Sequence, residues 1–256
     1  MTGAVLTLWE RELVRFWRQP SRVVGAIGSP LVFWALLGSG FGRSFQPAGA
    51  PDGTGYLEYF FPGILVLVVL FTAIFTTISI IEDRHEGFLQ GVLAAPVPRA
   101  AIVAGKVLGS ATLATVQAAA LLLLGVAARV APAAPIPLLS AAGVLALLAV
   151  GLSALGVFIA WRFDSIQGFH AVMNLVLVPL WLLSGAAFPA SGAAGWVQLL
   201  MAINPLTYGV AALRQVLTGM PLPGEPALTP SLAVVFLFGA AALAAGAAIV
   251  GREGHR

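Results

Sequence analysis

Six stretches of this 256-residue chain contain no Asp, Glu, Lys or Arg, and each is at least 20 residues long. A bilayer core about 30 Å thick is crossed by about 20 helical residues at about 1.5 Å each. Only 9% of the residues are charged and 59% are hydrophobic, whereas a soluble domain carries roughly 25% charge. The chain is therefore an integral membrane protein. The uncharged stretches are 23–42, 59–81, 107–128, 130–161, 165–213 and 226–251.

Two of these stretches are too long for one helix each. In the fourth, Pro132, Pro135 and Pro137 break the start, which leaves a span at 138–160. The fifth contains a span at 168–188, turn residues at 189–192 and two short apolar pieces, 193–203 and 206–217, separated by Asn204-Pro205. Apolar runs of about 10–14 residues are typical of re-entrant or interfacial helices. The sequence predicts an all-α fold with six transmembrane helices, 23–42, 59–81, 107–128, 138–160, 168–188 and 230–251, and a re-entrant hairpin within 189–220.

The positions of the basic residues predict the orientation, because short loops rich in Lys and Arg stay in the cytoplasm. With both termini inside, the inner segments hold ten basic residues and the outer segments hold three. We therefore expect a multi-pass plasma-membrane protein with two cytoplasmic termini and an extracellular hairpin. The inner residues are Arg11, Arg15, Arg18, Arg22, Arg84, Arg99, Lys106, Arg162, Arg252 and Arg256; the outer ones are Arg43, Arg129 and Arg214.

The segment before the first span, within 1–22, has the pattern of an amphipathic helix. An apolar stripe consists of Leu6, Trp9, Leu13, Phe16 and Trp17, and the opposite side carries Arg11, Glu12, Arg15 and Arg18. Such helices lie in the headgroup region of the membrane. The pattern leaves two roles open, a simple anchor and an element that transmits motion.

Sites for catalysis are missing from the sequence. Without cysteine there are no thiolate nucleophiles or Cys-ligated metals, and His85-Glu86 does not continue to HExxH because residue 89 is leucine. The basic clusters of a nucleic-acid binder are also missing. The one lysine, Lys106, precedes Val107, so this chain has no P-loop. We expect no catalytic, cofactor or metal site, and any nucleotide-driven function requires a partner protein.

A few polar residues fall within the spans. Thr72, Thr76 and Ser79 share one helix face and either line a pathway or bond to neighbouring helices, which is the commoner use. Gln117 and Asn174 are similarly ambiguous. His170 is the one titratable group near a span interior, and a lone histidine there most often serves packing. The predicted spans contain no Asp, Glu, Lys or Arg, which weighs against a proton-coupled carrier.

The predicted cytoplasmic loop, 82–106, opens with a charge cluster and continues with apolar residues up to Pro96 and Pro98. This pattern predicts a short amphipathic helix with a rigid exit. From the residues alone, its apolar side fits a groove on a soluble partner and a lipid surface equally well.

Two segments carry a resemblance to a known family. Residues 83–89 with 93–96, and Leu183 to Pro189 followed by Asn204-Pro205-Leu206-Thr207-Tyr208 and Arg214, resemble type-2 ABC export permeases, a family that includes daunorubicin-resistance-like and polysaccharide exporters. The resemblance covers essentially the whole chain. It implies a transmembrane half-transporter that pairs with a second permease and two separate P-loop ATPase subunits, with ATP and Mg held by those partners and none by this chain.

The resemblance also implies roles for particular residues. It places ATPase coupling at the segment from Asp83 to Pro96, where Asp83, Arg84 and Glu86 make polar contacts, and an extracellular gate at the hairpin from Phe188 to Arg214. Because a charge is costly there, we expect Arg214 to reach headgroups or a carboxylate such as Glu58. The coupling residues are Asp83, Arg84, Glu86, Gly87, Phe88, Leu89, Leu93 and Pro96, and the gate residues are Ser184, Gly185, Phe188, Pro189, Asn204, Pro205, Tyr208 and Arg214. The expected cargo is hydrophobic or amphipathic, a drug or a lipid-linked glycan. A secondary carrier and a non-transporting assembly subunit remain the alternatives.

Overall fold

A computed structural model describes residues 2–42 and 54–252, with the backbone alone at 20–23, 26 and 252. Arg43 and Arg256, two of the basic residues behind the predicted orientation, lie outside the described residues, as do the side chains of Arg22 and Arg252. Across the described ranges the chain folds into α-helices without β-strands, as predicted. The helices are α1 (Thr2–Trp17), α2 (Pro20–Phe41), α3 (Tyr56–Thr76), α4 (Ile78–His85), α5 (Phe88–Ala94), α6 (Arg99–Ala127), α7 (Pro135–Ala160), α8 (Ile166–Trp181), α9 (Gly195–Ile203), α10 (Pro205–Thr218) and α11 (Leu228–Arg252).

Five helical segments of the described chain are long and apolar enough to cross a bilayer. They are Tyr56–His85, Arg99–Ala127, Pro135–Ala160, Ile166–Ala186 and Leu228–Gly251, and the count becomes six if α9 and α10 form one bent span. Five of the six predicted spans thus correspond to helices of sufficient length and composition. The predicted first span corresponds to α2, whose apolar part Ile27–Phe41 is shorter, so this crossing stays a prediction.

Helix α3 lies at the centre of the bundle. It packs against α2, α6, α7, α8 and α10, and nearly all of its side chains are buried, including Phe60, Ile64 and Leu70. A helix that is apolar on every face is stable only where neighbours surround it. The sequence of α3, YLEYFFPGILVLVVLFTAIFT, is of this kind. The other helices are arranged around this apolar core.

Several helices are longer than the predicted spans, and two of these extensions have identifiable physical reasons. Helix α7 begins at Pro135 and not at 138, because proline is tolerated in a first helical turn whose N–H groups have no intrahelical acceptor. The second predicted span was to end at Ile81, but the helix continues through the junction at Thr77 as far as His85. The charged residues at its end are compatible with this extension because they are paired, as shown below.

The two short apolar pieces form the predicted pair of helices. α9 and α10 meet at Asn204-Pro205 with an angle of 84° between them. The amide of Asn204 donates to the carbonyl oxygens of Leu180 and Leu183, near the end of α8. At the other end of the pair, Gln215 donates to the carbonyl of Pro226, just before α11. The bend of the pair thus lies beside the end of α8, and the end of α10 lies beside the start of α11. We call this end of the bundle the hairpin end, and the opposite end the α1 end.

Candidate functional site

At the α1 end, the carboxylate of Asp83 is the centre of a buried ionic cluster. Its side chain has no exposed area, and three cations surround it. The Arg11 guanidinium donates to both carboxylate oxygens at 2.9 and 2.6 Å, Arg15 donates at 2.8 Å, and Lys106 donates at 2.5 Å. Burial of Arg11 opposes its charged form, but its hydrogen bond to Asp83 and the charge of Asp83 prevail and raise the pKa of Arg11. The cluster joins α1, α4 and α6.

Lys106 extends this cluster to a second acid. Its ammonium donates to Glu12 at 2.6 Å and to the hydroxyl of Ser79 at 3.1 Å, in addition to Asp83. Both Lys106 and Glu12 are almost fully buried. A buried charge that loses its partner is strongly destabilising, whereas a fully paired cluster is tolerated. All three donor protons of the ammonium therefore have acceptors, as burial requires.

Helix α1 packs closely on α6 along two glycines. A Cβ at Gly105 would lie 2.7 Å from Leu8 Cβ, and one at Gly109 would lie 2.6 Å from Glu12 Cβ. Only glycine permits this approach, as in other small-xxx-small helix contacts. The indole of Trp9 also donates to Thr112 on α6 at 3.1 Å. Helix α1 is thus packed directly against the bundle.

The orientation of α1 differs from the one its hydrophobic stripe suggests. Its buried residues are Leu8, Glu12 and Phe16, so the side that carries Glu12 faces the protein. Leu6 and Trp17, from the predicted apolar stripe, are 59% and 64% exposed. Lys106 and Asp83 supply partners for the charged side, which makes its burial possible, and the exposed apolar residues remain available to lipid.

The predicted single amphipathic helix of the loop is in fact two helices joined by a sharp turn. Gly87 has a φ of 76°, a left-handed conformation that favours glycine, and separates α4 from α5. The turn lies next to Arg84, whose guanidinium donates to the carbonyls of Trp161 and Phe163 and to Asp164. These bonds connect α4 to the loop between α7 and α8.

Two of the predicted coupling residues face inward and not toward a partner. Asp83 is buried in the ionic cluster, and Leu89 is only 4% exposed in the core. Their own chain covers both side chains, so a direct contact of Asp83 and Leu89 with a partner stays a prediction. Arg84 is likewise committed to the α7–α8 loop, and Leu93 is half-buried.

The outer side of α5 remains open. Phe88 is 38% exposed, and the guanidinium carbon of Arg11 lies 3.8 Å from the centre of its ring. Glu86 is 61% exposed and lies 3.6 Å from Arg15. The exposed surface continues along Gln90, Gly91, Ala94, Ala95 and Pro96. We call this surface, from Glu86 to Pro96, the α5 surface.

At the hairpin end, the predicted gate residues form a hydrogen-bonded joint between α8 and the hairpin. Asn204 caps α10 by accepting from the N–H of Leu206, while its amide bonds to α8 as described. A π-helical turn, Leu182–Ala186, ends α8. Within it Gly185 has a φ of 77°, and the Ser184 hydroxyl donates to the carbonyl of Trp181. Tyr208 donates to Ala202 across the bend. Phe188, Pro189 and Pro205 are half-buried beside these bonds.

Arg214 lies at the centre of this joint and is only 3% exposed. It forms an ion pair with Glu225, donates to the carbonyl of Gly185 at 3.2 Å, and places its guanidinium 4.5 Å from the ring centre of Tyr59. The suggested pairing with Glu58 is wrong, because Glu58 instead accepts from the N–H of Gly55 at the start of α3. Arg214 thus connects α10 to α3, to the turn after α8 and to the segment before α11.

The polar face of α3 and α4 bonds to a neighbouring helix, one of its two predicted uses, and the pathway role stays a prediction. The Thr72 hydroxyl donates to Gln117 on α6 at 2.6 Å, and Ser79 accepts from Lys106, so these two residues bond to a neighbouring helix. Thr72 and Thr76 also line a cavity of about 600 Å³ between α2, α3 and α8. Asn174 is exposed on α8.

Several residues of both ends escaped prediction from the sequence. Glu12, Gly105, Lys106 and Gly109 have partners far away in the chain, and Glu225 pairs with Arg214 across the turn before α11. The available signals were the spacing of Gly105 and Gly109, which is that of a helix-packing motif, and the occurrence of the one lysine beside it.

Comparison with known proteins agrees with this architecture. Residues 3–218 match the family described as ABC-2 type transporter. Nodulation protein J of Rhizobium meliloti (strain 1021) is 26% identical over 85% of this chain and 82% of its own length. The daunorubicin resistance ABC transporter permease protein DrrB1 of Streptomyces coeruleorubidus is 25% identical over 85% of this chain and 76% of its own length. The chain is a multi-pass membrane transport subunit and belongs to the ABC-2 type transporter family.

Proposed function

We propose that this chain is the permease subunit of an exporter that moves a hydrophobic or amphipathic molecule out of the cell, driven by a separate ATPase. The observation that carries the proposal is the α5 surface. It presents Phe88 and a run of small residues outward, while Asp83 and Leu89 at its base are held in the protein. A partly apolar helix on a rigid base suits docking into a groove of a soluble protein.

The ionic cluster gives such docking a mechanical consequence. Asp83 on α4 is bonded to Arg11 and Arg15 on α1 and to Lys106 on α6. Arg84 bonds the same helix to the loop before α8. A displacement of α5 by the ATPase therefore moves α1, α6 and α8 as well. Coupling between distant sites needs such a contiguous packed connection, so of the two roles left open for α1 we favour transmission of motion.

The hairpin end supplies the other part of the proposed transport cycle. Arg214 and Asn204 hold α10 against the end of α8 through buried bonds. Movement of α8 thus acts on the hairpin, which closes the outer end of the pathway. Both termini and the α5 surface lie in the cytoplasm, and the chain resides in the plasma membrane.

The complete exporter contains a second permease, identical or homologous, and two P-loop ATPase subunits. ATP and Mg are bound by those ATPases, and this chain binds neither. Nodulation protein J and the daunorubicin resistance permease are similar over most of this chain, and the second of these names supports a drug as one candidate cargo.

A proton-coupled secondary carrier is the less favoured function. The structure does place Asp83 and Lys106 within long apolar helices, where a lone ionisable group would indicate a proton relay. Neither group is alone, however, because Asp83 is bonded to three cations and Lys106 is bonded to two acids. This arrangement fits a structural joint better than a proton carrier.

Cross-linking from the α5 surface tests the proposed function. The chain has no cysteine, so Phe88→Cys provides one thiol for a maleimide-benzophenone reagent in native membranes. We expect illumination to join this position to a P-loop ATPase. Phe236→Cys on α11 is the matched control, because Phe236 is 61% exposed on an apolar helix. Equal ATPase capture from both positions, or capture from neither, would contradict the proposal.

A further inference from the structure

A cavity lies between α2, α3 and α8. Its volume is about 600 Å³, within the range of about 300–1,000 Å³ that accommodates drug-sized ligands. Its α3–α4 wall runs from Leu67 to Ile78, about 17 Å at about 1.5 Å per residue. The cavity is therefore an elongated space along the central helix.

Aromatic rings form much of its wall. Phe16, Phe33, Phe71, Phe75 and Trp181 all line it. The ring centres of Phe71 and Phe75 are 5.4 Å apart, and the centre of Phe75 is 4.8 Å from that of His170. The indole N–H of Trp181 donates to the carbonyl of Gly63. Trp181 therefore presents only its apolar ring to the cavity.

The polar side chains in the cavity wall are those of Ser29, Thr72, Thr76 and His170. The hydroxyl protons of Thr72 and Thr76 are both committed, to Gln117 and to the carbonyl of Thr72 respectively. The imidazole of His170 stacks against Phe75 and makes no hydrogen bond to any residue that the structure describes. His170 is exposed one turn into α8, so its ring nitrogens are available to a molecule bound in the cavity.

We propose that this cavity binds a planar, apolar ring compound with few polar groups, and that His170 determines its orientation by a hydrogen bond. Flat ring systems stack favourably on aromatic side chains. A glycan carries several hydroxyl groups on each sugar ring, and burying these without partners is costly. Of the two cargo classes that the sequence leaves open, the cavity therefore favours the apolar ring compound.

This inference rests on the proposed function only in treating the bound compound as cargo. Binding itself needs no ATPase, so it is measured on the purified full-length chain in lipid nanodiscs. If the ring compound does not bind, the proposed docking of the ATPase is unaffected. If the ATPase does not dock, the proposed binding of the ring compound is unaffected. The probe is 1-azidopyrene, a planar aromatic ring system that carries one photoreactive azide. The competitors are acridone, which is planar and carries one N–H and one carbonyl, palmitate, and octyl glucoside.

We expect labelling that acridone removes to lie on residues 67–78 and 170–182. His170→Ala should weaken the acridone competition about 2- to 10-fold, the loss expected for one hydrogen bond. Asn174→Ala is the matched control, because Asn174 is exposed on the same helix outside the cavity. Size-exclusion chromatography verifies that both variants stay folded.

Three results would overturn the proposal. Labelling confined to lipid-facing positions such as Phe236 would show that the cavity holds no ring compound. Stronger competition by palmitate or octyl glucoside than by acridone would identify an acyl-chain or sugar site instead. Equal effects of the His170 and Asn174 variants would remove the assigned role of His170.

Discussion

Replacement of Asp83 by asparagine tests the buried ionic cluster directly. The change keeps the size of the side chain and removes the one negative charge on which Arg11, Arg15 and Lys106 converge. The side chain has no exposed area, so solvent does not replace the lost charge. Removal of one member of a buried ion pair typically costs about 3–5 kcal/mol. We expect Asp83→Asn to reduce the free energy of unfolding by that amount.

The matched control is Asp164→Asn, which makes the same chemical change in an exposed pair. Asp164 is 86% exposed and bonds to Arg84 at 2.7 Å, and exposed pairs contribute about 0–1 kcal/mol. At about 2–4 °C per kcal/mol for a chain of this size, the expected fall in the thermal midpoint is about 6–20 °C for Asp83→Asn and less than about 4 °C for Asp164→Asn.

The assay is thermal unfolding in mild detergent, followed by fluorescence-detected size exclusion at one heating rate. The double variant Asp83→Asn/Lys106→Met should lose less than the sum of the two single variants, because Lys106 and Asp83 share one interaction. Similar small shifts for Asp83→Asn and Asp164→Asn would refute the reasoning, and so would strictly additive effects in the double variant.

Three further substitutions test other joints of the structure. Gly109→Ala places a methyl group 2.6 Å from Glu12 Cβ, so α1 must shift and the thermal midpoint should fall. Gly143→Ala is the control, because its methyl group meets nothing within 4 Å and should not lower the midpoint. Equal midpoints of the two variants would exclude tight packing of α1. Asn204→Ala removes a helix cap and two bonds to the end of α8. It should lower the free energy of unfolding by about 1–3 kcal/mol and the thermal midpoint by several degrees. The control Asn174→Ala should leave the midpoint within about 2 °C of the wild type. Arg214→Gln breaks the ion pair to Glu225 and should impair drug efflux by cells while membrane expression persists; normal efflux would contradict a role in the gate.

The fold could be predicted largely from the sequence, because the bilayer makes simple demands. Uncharged runs of sufficient length mark helices such as α6 and α11, and Asn204-Pro205 marks the bend of the hairpin. Helix ends were less predictable where a charged residue is neutralised by a distant partner. The helix that contains Asp83 continues past the last uncharged residue for this reason, since Lys106 and Arg11 stabilise it there.

The candidate site was only partly predictable, because its contacts join segments that are far apart in the chain. The pattern of α1 indicated an apolar stripe, but which side is buried depends on Lys106, 94 positions from Glu12. The local sequence does not indicate which acidic residue pairs with Arg214. In the structure the partner is Glu225, whereas Glu58 bonds to the N–H of Gly55. The turn at Gly87 has a local signal, since glycine is the residue that best adopts a positive φ.

The most direct test of the central claim is purification of the tagged protein from its native membrane in mild detergent, with measurement of ATP hydrolysis in the eluate. We predict that a P-loop ATPase co-purifies with the wild-type chain and that Phe88→Ala lowers its recovery, whereas Phe236→Ala does not. Leu89→Ala is unsuitable as the docking variant because Leu89 is buried and its loss would disturb the fold. Recovery of a folded chain without any ATPase or ATP hydrolysis would contradict the account.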